Sequence, residues 1–309
     1  MTAPTVMVVN PASANGKTGR RWPGIVREAR AAGLDPDVQV TEGPGHATEL
    51  TRRALRDGAR RIIALGGDGT VSEVVNGFFD GDETVSAEAE LAVVGRGSGC
   101  DFIRTFGIPK NSGRALRVAA HGGLRTIDLG RVRFTGPDGQ PAERRFANVA
   151  SAGMTGVAAD IANRSGKPLG ATVAFAWAAV SAIVGYQNAR FVVQIDDRKL
   201  ERVCNNVIVG NCRYFAGGMK ILPGAEPDDG ALDVLVFGDI SKRDLALNLH
   251  KLYRGTHVTH PKAEIARGVH IEVTPDQPLP IEVDGEVPGT TPASFDIQPA
   301  VLRLRVPAL

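Results

Sequence analysis

The fold turns on Arg61-Ile62-Ile63-Ala64-Leu65-Gly66-Gly67-Asp68-Gly69-Thr70, followed by Val71–Phe79. Arg61–Leu65 carries a strand signal and Val71–Phe79 a helical one, so Gly66–Thr70 must turn one into the other. Consecutive glycines allow positive φ and let a ligand approach the backbone closely. The helix that follows offers unpaired N–H groups and a partial positive charge to a phosphate. Thr70 is placed to cap that helix or to donate to phosphate. Asp68 repels phosphate unless Mg²⁺ or its waters lie between them. Four of the six residues Leu65–Thr70 are glycine or carboxylate, which favours a nucleotide phosphate over a plain capped turn.

Working outward, Leu91–Val94 reads as the next strand and runs into a second glycine loop, Gly95-Arg96-Gly97-Ser98-Gly99-Cys100-Asp101-Phe102. Upstream, Thr5–Val9 is a strand ending at Asn10-Pro11. Arg20–Ala32 is a helix closed by Gly33, Val38–Val40 a strand, and Ala47–Asp57 a helix closed by Gly58. Strands separated by single helices mean βαβ units and a parallel sheet, with ligands at the strands' C-terminal ends. Both glycine loops fall at such ends and together describe one cleft. Gly16-Lys17-Thr18 is no P-loop, because the position six before Lys17 is Pro11, which has no N–H and a fixed φ.

Beyond Asp128 the texture changes to short strand-like runs: Val132–Phe134, Phe146–Val149, Phe191–Ile195, Asn206–Val209, Leu232–Phe237, Val269–Val273, Leu279–Val283 and Val301–Val306. Gly136-Pro137-Asp138-Gly139 marks a hairpin. Leu169–Gly185 and Lys242–Tyr253 read as helices. The expected architecture is a Rossmann-like parallel α/β domain over 1–127 and a mainly antiparallel β-sandwich domain over 128–309. The last strand is a candidate to return to the first domain.

Composition supports this. With 309 residues, 43% hydrophobic and 23% charged, disorder, collagen and coiled coil are excluded. A net charge of +2 carries no general demand for nucleic acid. Basic charge gathers locally as Arg20-Arg21, Arg52-Arg53 and Arg60-Arg61, read either as solvated helix faces or as contacts to an anionic membrane surface. Three scattered cysteines fit a reducing cytoplasm. No secretory signal is visible at Met1–Thr5. The most apolar segment, Ala171–Tyr186, runs 16 residues, short of the roughly 20 a span needs. A soluble protein working at a lipid surface is expected.

In the second half, Pro223-Gly224-Ala225-Glu226-Pro227-Asp228-Asp229-Gly230 places paired carboxylates in a tight turn, either a plain hairpin or a Mg²⁺ or Ca²⁺ site. Val283-Asp284-Gly285-Glu286 puts a carboxylate at a strand end. Ser151 lacks the first glycine of a nucleophile elbow, and His257 and His260 read as ordinary surface residues.

Taken in order, these motifs resemble the diacylglycerol kinase catalytic-domain family of soluble lipid kinases, which includes sphingosine and ceramide kinases. The resemblance rests on Asn10-Pro11-x-Ser13, on Gly66–Thr70 with Glu73 and Asn76, and on Gly97–Phe102. Asp128-Leu129-Gly130 and Asn148–Ser151 fall where the family has similar segments. Tyr214–Asp233 and Asp284-Gly285-Glu286 complete the set. The resemblance implies ATP contacts at Asn10, Pro11, Ala12, Ser13, Ala14, Thr41, Gly66, Gly67, Asp68, Gly69, Thr70, Val71, Ser72, Ser98 and Glu286. It implies Mg²⁺ held by Asp229 with the carbonyls of Glu226 and Ala231, and Asp284 as proton acceptor for a lipid hydroxyl. Asp68, Asp101 and Asp128 would order the catalytic Mg²⁺ and its waters. Two positions depart from the family's pattern: Cys100 replaces the usual Asn, and Ala14 a common Gly.

The reading that follows is an ATP-dependent lipid kinase, with its acceptor in the cleft between the domains and Ala171–Tyr186 as either apolar contact or core. An NAD or sugar kinase is the alternative, since such enzymes share a similar glycine turn. A catalytically inactive ATP- or lipid-binding regulator is the third. Two copies could pair through an edge strand as a homodimer.

Overall fold

The structure, a computed structural model, describes residues 4–164 and 171–308. The chain divides into two units, Met1–Asp128 with Ala300–Leu309, and Leu129–Pro299.

Unit 1 alternates strand and helix. In order come β1 (Thr5–Val9), α1 (Lys17–Ala31), β2 (Asp37–Val40), α2 (His46–Arg56), β3 (Arg61–Gly66) and α3 (Asp68–Gly77). A small hairpin of β4 (Phe79–Asp80) and β5 (Glu83–Thr84) leads to β6 (Glu90–Gly95), α4 (Asp101–Thr105), α5 (Ser112–His121) and β7 (Gly123–Thr135). The pairings β2–β1, β1–β3 and β3–β6 are parallel, and β6 pairs in parallel with Arg303–Leu304 near the chain's end. Both sheet faces are covered, which is why β1, β3 and β6 read as continuous apolar runs. Met7, Val8, Val9, Ile62, Ile63, Ala64 and Leu65 are fully buried. At about 1.5–3 kcal/mol for each large aliphatic side chain, these strands fix the loops that leave their C-terminal ends.

Two helix starts differ from expectation. Ala14, Asn15 and Gly16 are all left-handed (φ 53, 55 and 76°), and α1 begins at once at Lys17 rather than at Arg20. α3 begins at Asp68, not Val71, with Gly67 at its N-cap. Thr70 therefore lies inside the first turn and is not the cap.

Unit 2 is β-rich. It holds β8 (Pro141–Phe146), β9 (Val149–Gly153), α6 (Met154–Arg164), α7 (Ala171–Gly185), β10 (Ala189–Ile195), β11 (Arg198–Gly210), β12 (Leu232–Gly238) and α8 (Lys242–Arg254). β13 (Ala263–Gly268), β14 (His270–Pro275), β15 (Pro280–Val283) and β16 (Glu286–Val306) complete it, the end of β16 belonging to unit 1. Strands β13, β12, β11, β10 and β14 are antiparallel neighbours in that order, and β9 pairs with both β11 and β15. Phe146, Phe191, Val207, Ile281 and Phe295 lie in one buried cluster there.

An α/β first part and a β-rich second part are thus as expected, while several boundaries are not. β16 is 21 residues long, against the six read from sequence, because Pro288, Pro292 and Pro299 look like turn punctuation. α6 has no strong period in sequence and was not expected. Of the helix expected over Leu169–Gly185, Leu169 and Gly170 lie outside the described residues, and α7 follows from Ala171. His257 is buried rather than superficial: its Nε2 lies 2.9 Å from the Ile221 carbonyl, and burial lowers its pKa. Among the described residues no helix is long and apolar enough to cross a membrane.

Candidate functional site

In unit 1 the three expected loops leave the ends of β1, β3 and β6. Asn10 joins two of them, its N–H donating to the Leu65 carbonyl and its Nδ2 to Thr70 Oγ1, both at 3.0 Å. Its Oδ1 accepts from Ala12 N–H at 3.0 Å, and Ser13 Oγ donates to Thr18 Oγ1 at 2.7 Å, which closes the first loop on itself. Glycine is required where the loops cross. A Cβ on Gly66 would stand 2.3 Å from Thr70 Oγ1, and one on Gly97 would stand 2.9 Å from the Gly67 Cα. The first turn of α3 presents the N–H groups of Asp68, Gly69 and Thr70 beside this crossing, an arrangement that suits a phosphate.

The other ATP-contact residues of this unit are placed unequally. Val71 and Ser72 are buried, and Val71 N–H already donates to the Gly67 carbonyl at 3.1 Å. Thr41 is buried at the end of β2 and donates its N–H to the Val9 carbonyl at 2.8 Å. Ser98 is exposed. Glu73 accepts from the N–H groups of Gly45 (2.9 Å) and Ala47 (3.1 Å), which pins the start of α2 to α3.

Asp68 ties the second loop to the first. Its Oδ1 accepts from Phe102 N–H at 3.2 Å at the start of α4. Burial raises its pKa, and the N–H groups of Phe102, Asp101 and Cys100 oppose that rise. Asp68 and Asp101 converge, since a Cβ on Gly99 would lie 2.9 Å from one carboxylate and 3.2 Å from the other. Two hard oxygen donors together fit a divalent cation. Asp128 is held elsewhere, its Oδ1 accepting from Ala300 N–H at 2.7 Å. Cys100 is left-handed (φ 53°), a conformation more congenial to Asn, and its thiol donates to the Gly97 carbonyl at 3.3 Å.

In unit 2, Asp284 sits left-handed (φ 48°) in the turn between β15 and β16. Its carboxylate receives three backbone N–H groups: Ala147 on Oδ2 at 3.0 Å, and Asn148 and Val149 on Oδ1 at 3.0 and 3.1 Å. Burial raises its pKa, and these N–H groups with the Arg144 charge oppose the rise. A carboxylate has about four acceptor positions, so the open one lies on Oδ2. Arg144 pairs at 2.6 Å with Glu286, the remaining residue of the expected ATP set.

The sequence reading missed Glu282. It is 1% exposed, and burial pushes its carboxyl up to about 8. Ser151 Oγ donates to Glu282 Oε2 at 2.7 Å, and Gly285 N–H donates to Oε1 at 2.5 Å. Ser151 Oγ also lies 2.8 Å from Thr155 Oγ1, which in turn lies 2.8 Å from Asn206 Oδ1. Ser151, a failed nucleophile elbow by sequence, is therefore part of a buried polar chain behind Asp284. Strand alternation would put Glu282 on a solvent face, but α6 covers that face so closely that a Cβ on Gly156 would lie 2.0 Å from the Pro280 carbonyl.

The acidic turn lies between β11 and β12. Asp229 Oδ1 accepts from Ala231 N–H at 3.2 Å, and its Oδ2 is hydrogen-bonded to Arg267. Glu226 is hydrogen-bonded to Arg213. Each Asp229 oxygen thus already accepts one hydrogen bond, and a cation here would have to displace the Arg267 guanidinium or stand beside it.

Residues 4–132 match the diacylglycerol kinase catalytic domain, and residues 148–306 match the YegS C-terminal NAD kinase beta sandwich-like domain. A diacylglycerol kinase of Mycobacterium tuberculosis is 28% identical over 306 residues, covering 97% of this chain and 94% of that protein. One from Staphylococcus carnosus is 25% identical over 290 residues, covering 94% and 90%. A crystal structure of a diacylglycerol kinase from Bacillus anthracis superposes with a TM-score of 0.73 at 20% identity, covering 98% of this chain and 97% of the other, and establishes likeness of fold. Together the two matched domains span most of the chain. The chain belongs to the diacylglycerol kinase catalytic-domain family.

Proposed function

We propose that the chain is an ATP-dependent lipid kinase that phosphorylates the hydroxyl of a lipid such as diacylglycerol. The observation that carries the reading is the crossing of Gly66-Gly67 and Gly97 over the first turn of α3, a backbone cradle for phosphate. Asn10–Ala14, the α3 N–H groups and the exposed Ser98 would hold ATP. Buried Thr41, Val71 and Ser72 would contribute through backbone and shape alone.

A divalent metal, Mg²⁺ in this reading, would neutralise charge on the transferring phosphoryl group. Asp68 and Asp101 are the residues that would hold it or its waters. The acceptor hydroxyl would give its proton to Asp284 Oδ2 as its oxygen bonds to the γ-phosphorus, and the bond from that phosphorus to the β-bridging oxygen would break to leave ADP. Three backbone N–H groups fix the Asp284 carboxylate, so little reorganisation accompanies that transfer.

Lipid access is supported by α7, where Trp177, Val180 and Val184 are 65%, 55% and 67% exposed. Indole and aliphatic groups in water suit the headgroup boundary of a bilayer. The exposed Arg20-Arg21 pair suits an anionic surface, and in this reading the protein works peripherally at the cytoplasmic face of a membrane.

The test is phosphate transfer from radiolabelled ATP with Mg²⁺ to lipid alcohols in mixed micelles, beside Asp284→Asn. A labelled lipid that disappears in the variant is the expected result. ATP binding with no labelled lipid from any alcohol would overturn the lipid acceptor, and undiminished labelling by the variant would overturn the role of Asp284.

A further inference from the structure

The acidic turn of unit 2 holds an inference that does not depend on the phosphoryl acceptor. Family resemblance places Mg²⁺ on Asp229 with the Glu226 and Ala231 carbonyls. In this chain one guanidinium stands on Asp229 and a second on the neighbouring Glu226 side chain. Arg267, on β13, is the cross-strand partner of Asp233 on β12. It is hydrogen-bonded to Asp229 and lies 3.8 Å from Asp233. Arg213 is hydrogen-bonded to Glu226 and donates from Nε to the Ala225 carbonyl at 2.8 Å. Three carboxylates, Glu226, Asp229 and Asp233, are thereby faced by two guanidinium groups.

The geometry has a chemical consequence. Mg²⁺ needs near-octahedral oxygen ligands and sheds its waters reluctantly. It would have to take Asp229 Oδ2 from Arg267 and then sit within a few ångströms of that cation. A planar guanidinium fork is well suited to tying two carboxylates together, and it is always charged. Asp229 in turn fixes the turn by accepting the Ala231 N–H.

We propose that Arg267 occupies the cation position of this turn, so that Mg²⁺ and its guanidinium compete for Asp229 and the turn keeps its shape without a metal. A metal site in the family pattern is thereby replaced, in this chain, by an internal counter-charge supplied from β13.

The experiment uses the full chain without nucleotide, at constant ionic strength. Unfolding temperature is measured in chelator and in millimolar Mg²⁺ for wild type, Arg267→Gln, Asp229→Asn and the double variant. Mn²⁺ affinity of the same proteins is measured by electron paramagnetic resonance. Wild type should melt at the same temperature with and without Mg²⁺. Arg267→Gln should melt lower in chelator, recover with Mg²⁺, and bind Mn²⁺ about tenfold tighter than wild type, the effect of removing one charge near a dication. Asp229→Asn in the Arg267→Gln background should abolish both responses. Equal Mn²⁺ affinity in wild type and Arg267→Gln overturns the proposal. So does a Mg²⁺ stabilisation of wild type that Asp229→Asn lacks, a result readable on folded wild type even if Arg267→Gln does not fold. Loss of lipid-kinase activity is not among the readouts, so failure of the proposed function leaves this test intact.

Discussion

Glu282→Gln tests the buried carboxyl beneath α6. Glu282 titrates at about 8 in the folded chain, against 4.5 for the free side chain. Burial is the main cause; hydrogen bonds from Ser151 and Gly285 oppose it, and the neighbouring Asp284 charge adds to it. Because the folded value lies above the unfolded one, the folded chain keeps this proton longer. The stability it contributes is complete below pH 4.5 and is lost as pH rises to about 8. Each pH unit in that window costs about 1.4 kcal/mol, and the whole displacement amounts to roughly 5 kcal/mol. Glutamine is the neutral isostere, able to accept from Gly285 N–H and donate to Ser151 Oγ. Urea unfolding of wild type and variant, compared at each pH across the window, cancels the titrating groups that Glu282 does not touch. The variant should gain on wild type by about 1.4 kcal/mol per pH unit. A difference that stays flat with pH would refute the reasoning, because Glu282 would then ionise alike in folded and unfolded chains.

Three further outcomes follow from the loops. Asp284→Asn keeps a residue comfortable at φ 48° but sets an amide NH₂ or a single oxygen against three N–H donors. It should cost about 1–3 kcal/mol of stability, read by denaturant unfolding beside the transfer assay, and an unchanged midpoint would contradict the clamp. Gly97→Ala puts a Cβ 2.9 Å from the Gly67 Cα, a backbone atom with no side chain to swing aside, so the crossing must open. ATP affinity by calorimetry should fall about tenfold or more, which is about 1.4 kcal/mol, and an unaltered affinity would place the phosphates elsewhere. Asp68→Ala strips the acceptor from Phe102 N–H. Amide exchange at Cys100–Phe102 should accelerate by the equivalent of about 1–3 kcal/mol, while unchanged protection would mean that α4 holds itself.

What was legible in the sequence was local. Apolar runs covered on both faces announce β1, β3 and β6, and glycines at the ends of β3 and β6 announce their loops, because both signals reside in a few adjacent residues. The family resemblance used the same signals. What was not legible is the destination of each carboxylate. Glu282 reads as an outward strand residue until α6 is seen to cover it, and its partner Ser151 is 131 positions away. Asp229 reads as a ligand until Arg267, 38 positions on, is seen across the turn. His257 reads as surface until Ile221 and Phe237 close over it. Helix starts failed for a related reason: whether Gly67 or Thr70 caps α3 depends on how the loops from β1 and β6 meet it.

Three of the motif carboxylates therefore share a property that their spacing conceals. Asp68 accepts the α4 N–H groups, Asp128 accepts Ala300 N–H, and Asp284 accepts three N–H groups of residues 147–149. Each fastens a segment distant in sequence, and a bond from backbone N–H to a charged acceptor contributes about 1.5–3 kcal/mol. A motif acid can thus be required for loop geometry whether or not it meets a substrate, and loss of activity on mutation cannot separate the two roles. The separation comes from stability and chemistry measured on the same variant. A clamp alone predicts that ATP affinity and unfolding midpoint fall together in Asp68→Asn. A metal-binding role predicts a Mg²⁺-dependent loss in ATP affinity at a midpoint that Mg²⁺ does not alter. Asp128, already committed to Ala300, should follow the clamp pattern alone.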